Sequence, residues 1–123
     1  MHHFISYSSF DALDFALSLA DSLVMGPPTI PCWIDKRNLI NGIDWDTQID
    51  DSIRICESLI FVMTKDSVKN TSICKNEWSQ ALTYKKPIIP VRLHNDAVLP
   101  FRLNSRQYID FSINSSVGLA RLR

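Results

Sequence analysis

Among the titratable side chains of this sequence, Glu77 sits where a charge is least at home. Along the stretch from Ile73 to Leu82, Ile73, Glu77 and Ala81 are spaced four apart and share one face of a helix. Cys74, Trp78 and Leu82 form the adjoining row, while Lys75, Asn76, Ser79 and Gln80 mark the wet side. A carboxylate on the apolar side of a helix must be paired, protonated or turned into a cavity, which makes it a functional-site candidate. The alternative is a first-turn glutamate favoured by the helix dipole, with its head reaching water. Spacing alone leaves the two even.

Other chemistries lack their residues. The glycines are Gly26, Gly42 and Gly118, so neither a G-x-G-x-x-G turn nor a P-loop is present. No serine stands in a G-x-S-x-G elbow. Cys32, Cys56 and Cys74 form no C-x-x-C pair and no zinc pattern, and read as free thiols packed in a core. His2, His3 and His94 have no spacing that would pair them with a cysteine nucleophile. Asp44, Asp46, Asp50 and Asp51 cluster at a helix start and suit its positive end better than a metal ion. A phosphate receiver would need an acid pair after the first strand and an aspartate after the third. Tyr7-Ser8-Ser9 and Met63-Thr64-Lys65-Asp66 do not supply that arrangement.

The elements that position Glu77 follow from periodicity. Five apolar segments read as strands: Phe4–Tyr7, Ile30–Ile34, Leu59–Met63, Ile88–Leu93 and Tyr108–Phe111. The third is continuous rather than alternating, as in a strand covered on both faces. Between the strands lie amphipathic stripes: Ala12, Phe15, Ala16, Leu19, Ala20 and Leu23; then Trp45, Ile49, Ile53 and Cys56; then Ile73, Cys74, Trp78, Ala81 and Leu82. Ser8 and Asp11 stand in the S-x-x-D relation of a helix cap. Strands alternating with helices predict a flavodoxin-like, doubly wound, five-stranded parallel sheet with helices on both faces. Ligands of that fold bind beyond the carboxyl ends of the strands. Pro90 resists, because it removes a ladder donor and predicts a fourth strand near an edge or bulged. Residues His94–Gln107 read as a loop with one helical turn, and Ser115–Arg123 as a closing helix.

The length, 123 residues, allows one domain. Apolar and charged fractions of 46% and 21% suit a globular protein, and the formal charge of zero gives no support to nucleic-acid binding. The longest apolar run is far too short to span a bilayer.

Taken together, these motifs resemble the Toll/interleukin-1 receptor (TIR) domain family, particularly its bacterial enzymatic members. Phe4-Ile5-Ser6-Tyr7-Ser8 resembles the family's first box. Cys32-Trp33-Ile34-Asp35, followed by Leu39, Gly42 and Trp45, resembles the second strand, BB loop and next helix start. Ser72-Ile73-Cys74-Lys75-Asn76-Glu77-Trp78 resembles the S-x-W-C-x-x-E segment of the catalytic helix, and Pro87-Ile88-Ile89-Pro90-Val91 the fourth strand. The resemblance runs from about His3 to Phe111.

It implies an enzyme that consumes NAD+ as substrate, with no resident cofactor or metal, cleaving the nicotinamide–ribose bond. Glu77 takes the place of the catalytic glutamate, beside a ribose with oxocarbenium character. Substrate would be held by Tyr7, Ser8, Ser9 and Phe10 after the first strand. Asp35, Lys36, Arg37 and Asn38 of the BB loop would lie near ribose or phosphates, and Ile73 and Cys74 would complete the wall. Leu39, Ile43 and Trp45 would anchor the loop. Ile73 departs from the pattern, since many enzymatic members carry Trp there. The resemblance further implies a cytoplasmic effector module of a bacterial immune or stress-signalling protein. Residues 1–123 would be a TIR domain excised from a longer chain. It would pair with other TIR domains through the BB loop under a covalently linked sensor, with no direct nucleic-acid or membrane partner. A non-catalytic TIR–TIR adaptor is the alternative.

Overall fold

All five expected strands form, and they join one parallel sheet. A computed structural model of the chain describes residues 2–69, 71–103, 106–111 and 118. The strands are β1 (His3–Ser6), β2 (Cys32–Trp33), β3 (Ser58–Met63), β4 (Ile88–Arg92) and β5 (Ile109–Asp110), in the order β2-β1-β3-β4-β5. The helices are α1 (Leu13–Met25), α2 (Asp35–Asn38), α3 (Trp45–Ile55) and α4 (Ile73–Thr83). This is the doubly wound order whose direction reverses between β1 and β3. Apart from Gly118, the helix expected over Ser115–Arg123 lies outside the described residues.

Alternation along the strands builds a core on each face of the sheet. Phe4, Leu59, Phe61 and Met63 pack against Ile53 of α3 and Cys74, Trp78 and Ala81 of α4. Ile5, Ile60 and Val62 point the other way, onto Ala16, Leu19, Ala20 and Leu23 of α1. All six residues of β3 are buried, which explains its unbroken apolar run. Each Leu or Phe so buried contributes about 2 kcal/mol relative to exposure.

Helix ends follow local chemistry. Gly26 terminates α1 at φ 64°, a conformation that strains any side chain, and Pro27 and Pro28 follow it. Asp44 caps α3 by accepting from the backbone N–H of Thr47, and Ser72 caps α4 by accepting from that of Cys74.

Two expectations require correction and one holds. Ser8 and Asp11 do not cap α1, which has Ala12 at its N-cap and no side-chain cap bond. Both side chains instead cross to the segment after β3. β4 does lie near an edge, as Pro90 predicts, between β3 and the edge strand β5. Pro90 is tolerated because bonds alternate sides along a strand. Leu93 donates to Met63 of β3, so Pro90 lacks its donor on the opposite side, where β5 pairs only from Val91 onward. Finally, the second and third stripes do not bury their first members, unlike the first, whose Ala12 is buried. Trp45 is 57% exposed and Ile73 69% exposed, each in the first turn of its helix, where the chain has only begun to enter the core. The loop from His94 does contain one short turn, a 3-10 helix at Phe101–Leu103.

Candidate functional site

Three consecutive hydroxyls leave the carboxyl end of β1, and each finds a carboxylate on a different element. Ser6 Oγ donates to Glu77 Oε1 of α4 at 2.6 Å. Tyr7 Oη donates to Asp35 Oδ1 at the start of α2, also at 2.6 Å. Ser8 Oγ donates to Asp66 in the turn after β3. Asp11 adds a fourth tie to that turn: its carboxylate accepts from Thr64 Oγ1 at 2.8 Å and from the Asp66 N–H at 3.3 Å. β1 and β3 flank the point where the strand order reverses, so these carboxylates gather where such folds bind ligands.

Two adjoining clefts open there. One, of about 380 Å³, is lined by Tyr7, Ser8, Ser9, Phe10, Asp35, Asp66, Thr71, Ser72 and Ile73. The other, of about 300 Å³ between α3 and α4, has an apolar floor of Ile49 and Ile53 and polar walls from Asp46, Asp50, Asn76, Glu77 and Gln80. Ile73 borders both clefts, so its exposed side chain stands as the ridge between them. Among the described residues no lysine or arginine lines either cleft.

The electrostatics follow from burial and like charges. Glu77 is half-buried as a residue, but its carboxyl lies deep. Burial raises its pKa from 4.5 to about 7; the Ser6 hydroxyl opposes the rise and the Asp35 charge adds to it. Burial also raises Tyr7 well above a normal phenol, helped by its bond to Asp35 and by the charges of Asp35 and Glu77. The Cys74 thiol is pushed up to about 12, first by burial and then by the Glu77 charge. Among the described residues no group of three His, Cys, Asp or Glu is placed to hold a metal ion.

A family model for the TIR domain matches residues 4–123. The chain belongs to the TIR domain family. Among solved structures, the TIR domain of the Toll-related receptor TRR-2 from Hydra magnipapillata is 25% identical, with a TM-score of 0.80, and the alignment covers 98% of this chain and 93% of that one. The TIR domains of the activated Roq1 resistosome, which recognises the pathogen effector XopQ, are 14% identical with a TM-score of 0.80, covering 98% and 96%. A prokaryotic SEFIR domain is 21% identical with a TM-score of 0.72, covering 98% and 94%. The latter two share the fold alone. No curated protein matches the chain significantly in sequence.

In this TIR domain the residues singled out from the sequence separate into groups. Tyr7, Ser8, Ser9, Phe10, Asp35 and Ile73 line one cleft together, and Phe10 is 86% exposed at its mouth. Glu77 opens into the neighbouring groove, sharing only Ile73 with the first. Cys74 is fully buried behind them and does not line either cleft. Arg37 turns away to pair with Asp21 of α1 at 2.6 Å. The Asn38 side chain is spent inside its own turn, accepting from the Ile34 N–H at 2.9 Å. Lys36 is exposed. Ile43 and Trp45 do not anchor the BB loop, as both are more than half exposed; Leu39 is half-buried. Gln48 of α3 does the anchoring instead: its side chain accepts from the Ile40 N–H and donates to the Ile40 and Ile43 carbonyls.

Ser6, Asp66, Thr71 and Ser72 were not assigned from the sequence. The signal for Asp66 was its place just beyond the carboxyl end of β3, at the reversal of strand order. Gln48 carried no such signal, because a glutamine on a helix surface is ordinary until its partner loop is known. No helix among the described residues is long and apolar enough to cross a membrane.

Proposed function

We propose that this TIR domain cleaves NAD+ at the bond between nicotinamide and ribose, with Glu77 as the catalytic carboxylate. The observation that carries the reading is a glutamate bonded to a buried serine at the reversal point of the sheet, facing a groove of ligand size. As the C1′–N bond breaks, its electron pair passes to the pyridinium nitrogen, so nicotinamide leaves neutral and needs no acid. Positive charge then develops on C1′ and the ring oxygen of the ribose, and an adjacent anion stabilises it. Water attacking C1′ and losing a proton gives ADP-ribose; an adenine nitrogen attacking instead gives a cyclic isomer. The step needs Glu77 ionised, so turnover rises with pH through about 7.

Supporting roles follow position. Phe10 at the mouth of its cleft offers a face for a ring where Ile73 does not. Tyr7, Ser8, Ser9 and Asp35 offer hydrogen bonds to ribose; Lys36 lines neither cleft and would meet the diphosphate only from its exposed place outside them. Arg37 and Cys74 are removed from this set by their placement. As an effector, the domain would work in the cytoplasm of a bacterial immune or stress-signalling protein, assembling with other TIR domains. The second reading, a signalling module that only pairs with other TIR domains, is favoured by one observation: Ile40, Ile43 and Trp45 stand exposed together around the BB loop.

The test is chromatography of NAD+ incubated with concentrated, crowded protein. The enzyme reading expects nicotinamide, and a loss of roughly 100-fold or more in Glu77→Gln. Intact NAD+ under forced assembly would leave the adaptor reading standing.

A further inference from the structure

Ser6 is the last residue of β1 and is completely buried, held in register opposite Phe61 of β3. Its hydroxyl lies 2.6 Å from Glu77 Oε1, and among the described residues it is the carboxyl's sole hydrogen-bond partner. The neighbouring hydroxyls cannot replace it, since Tyr7 is committed to Asp35 and Ser8 to Asp66. We propose that Ser6 is the positioning residue of the site, its hydroxyl both aiming the Glu77 carboxylate and keeping it ionised. The proposal rests on Glu77 being the charge beside the ribose.

The groups facing Glu77 make the serine decisive. Asp35 reaches it from α2 with a like charge, and Tyr7, just beyond β1, is a neutral phenol. Asp46 and Asp50 line the same groove from α3, with Asp50 engaged by Gln80 and Tyr84. Cys74, one turn back on α4, stays a thiol because burial and the Glu77 charge both oppose its ionisation. None of these is a cation. Burial and like charge therefore push Glu77 toward its protonated form, and the Ser6 hydroxyl is the group that favours the anion. A side chain buried in the sheet and lining neither cleft would then set the pH at which the enzyme works.

The test is carboxyl carbon NMR of Glu-labelled protein across pH 4–10, with Glu77→Gln identifying the resonance. In Ser6→Ala the midpoint should rise by about one pH unit or more, and the rising limb of the NAD+ pH–rate profile should move with it. Ser6→Cys, a weaker donor of similar size, should fall between, and it serves as the folded alternative if Ser6→Ala does not melt cooperatively. An unmoved Glu77 midpoint in a folded variant overturns the proposal. The NMR readout needs no turnover, so wild-type protein inert toward NAD+ would count against the proposed function while the Ser6–Glu77 coupling is still decided.

Discussion

The two ends of β1 are both polar, yet they are built to opposite purposes. At the amino end His3 sits between the Ser58 hydroxyl and the Glu57 carboxylate, 3.2 Å away, and His2 bonds to the Ser52 carbonyl at 2.9 Å. Each acid or hydroxyl there meets a base or carbonyl, and the adjoining cavity is only about 50 Å³. At the carboxyl end, Ser6, Tyr7 and Ser8 bring three acids together beside clefts of about 300 and 380 Å³; Asp66 meets Lys69 at 3.5 Å, but among the described residues no base lines either cleft. Hydroxyls satisfy hydrogen-bonding capacity without neutralising charge. The difference teaches what marks a candidate site on this sheet: polarity alone does not, but hydrogen-bonded carboxylates such as Glu77 and Asp35, with no cation paired to them among the described residues, next to open space do.

That contrast can be broken most strongly at Glu77. The folded domain holds the Glu77 proton more tightly than the unfolded chain, with a pKa of about 7 against 4.5. Its stability contribution is therefore complete below pH 4.5, is lost as pH rises toward 7, and is level above that. Urea melts should show Glu77→Gln gaining about 3 kcal/mol over wild type at pH 8, with the gap closing at pH 4. A middle-sized effect is expected at Asp11. Asp11→Ala strips the fully buried Thr64 hydroxyl of its acceptor and frees the Asp66 turn, so urea melts should show a loss of about 2 kcal/mol. The amino end should respond least. Glu57→Gln removes the charge from a half-exposed pair, for less than about 1 kcal/mol by the same melts, and leaves the proposed NAD+ cleavage unchanged.

Much of the fold was legible because its signals are local. The continuous Leu59–Met63 run, the α1 stripe and the alternation of strand with helix depend on neighbours in sequence, and the structure reproduces them. The site was legible in composition but not in pairing. Ser8 and Asp11 obey a capping pattern, yet their partners lie 53 to 58 residues away after β3. Pro90 places its strand near an edge, as found beside β5, but the sequence does not reveal where β5 begins to pair. Arg37 and Asn38 looked like ligand groups until Asp21 and the Ile34 N–H claimed them. Glu77 itself was undecided between solvent and cavity, and only the position of β1 beneath α4 resolves it.

The run Ser6-Tyr7-Ser8 also makes this region an all-or-nothing reporter of strand register. Neighbouring residues of a strand point to opposite faces, so a slip of β1 by one position against β3 would turn Ile5 or Tyr7 toward Glu77. All three hydroxyl–carboxylate partnerships would then be lost at once. A mispaired molecule would lose the whole arrangement rather than part of it, which ties assembly of the candidate site to correct folding within three residues of chain.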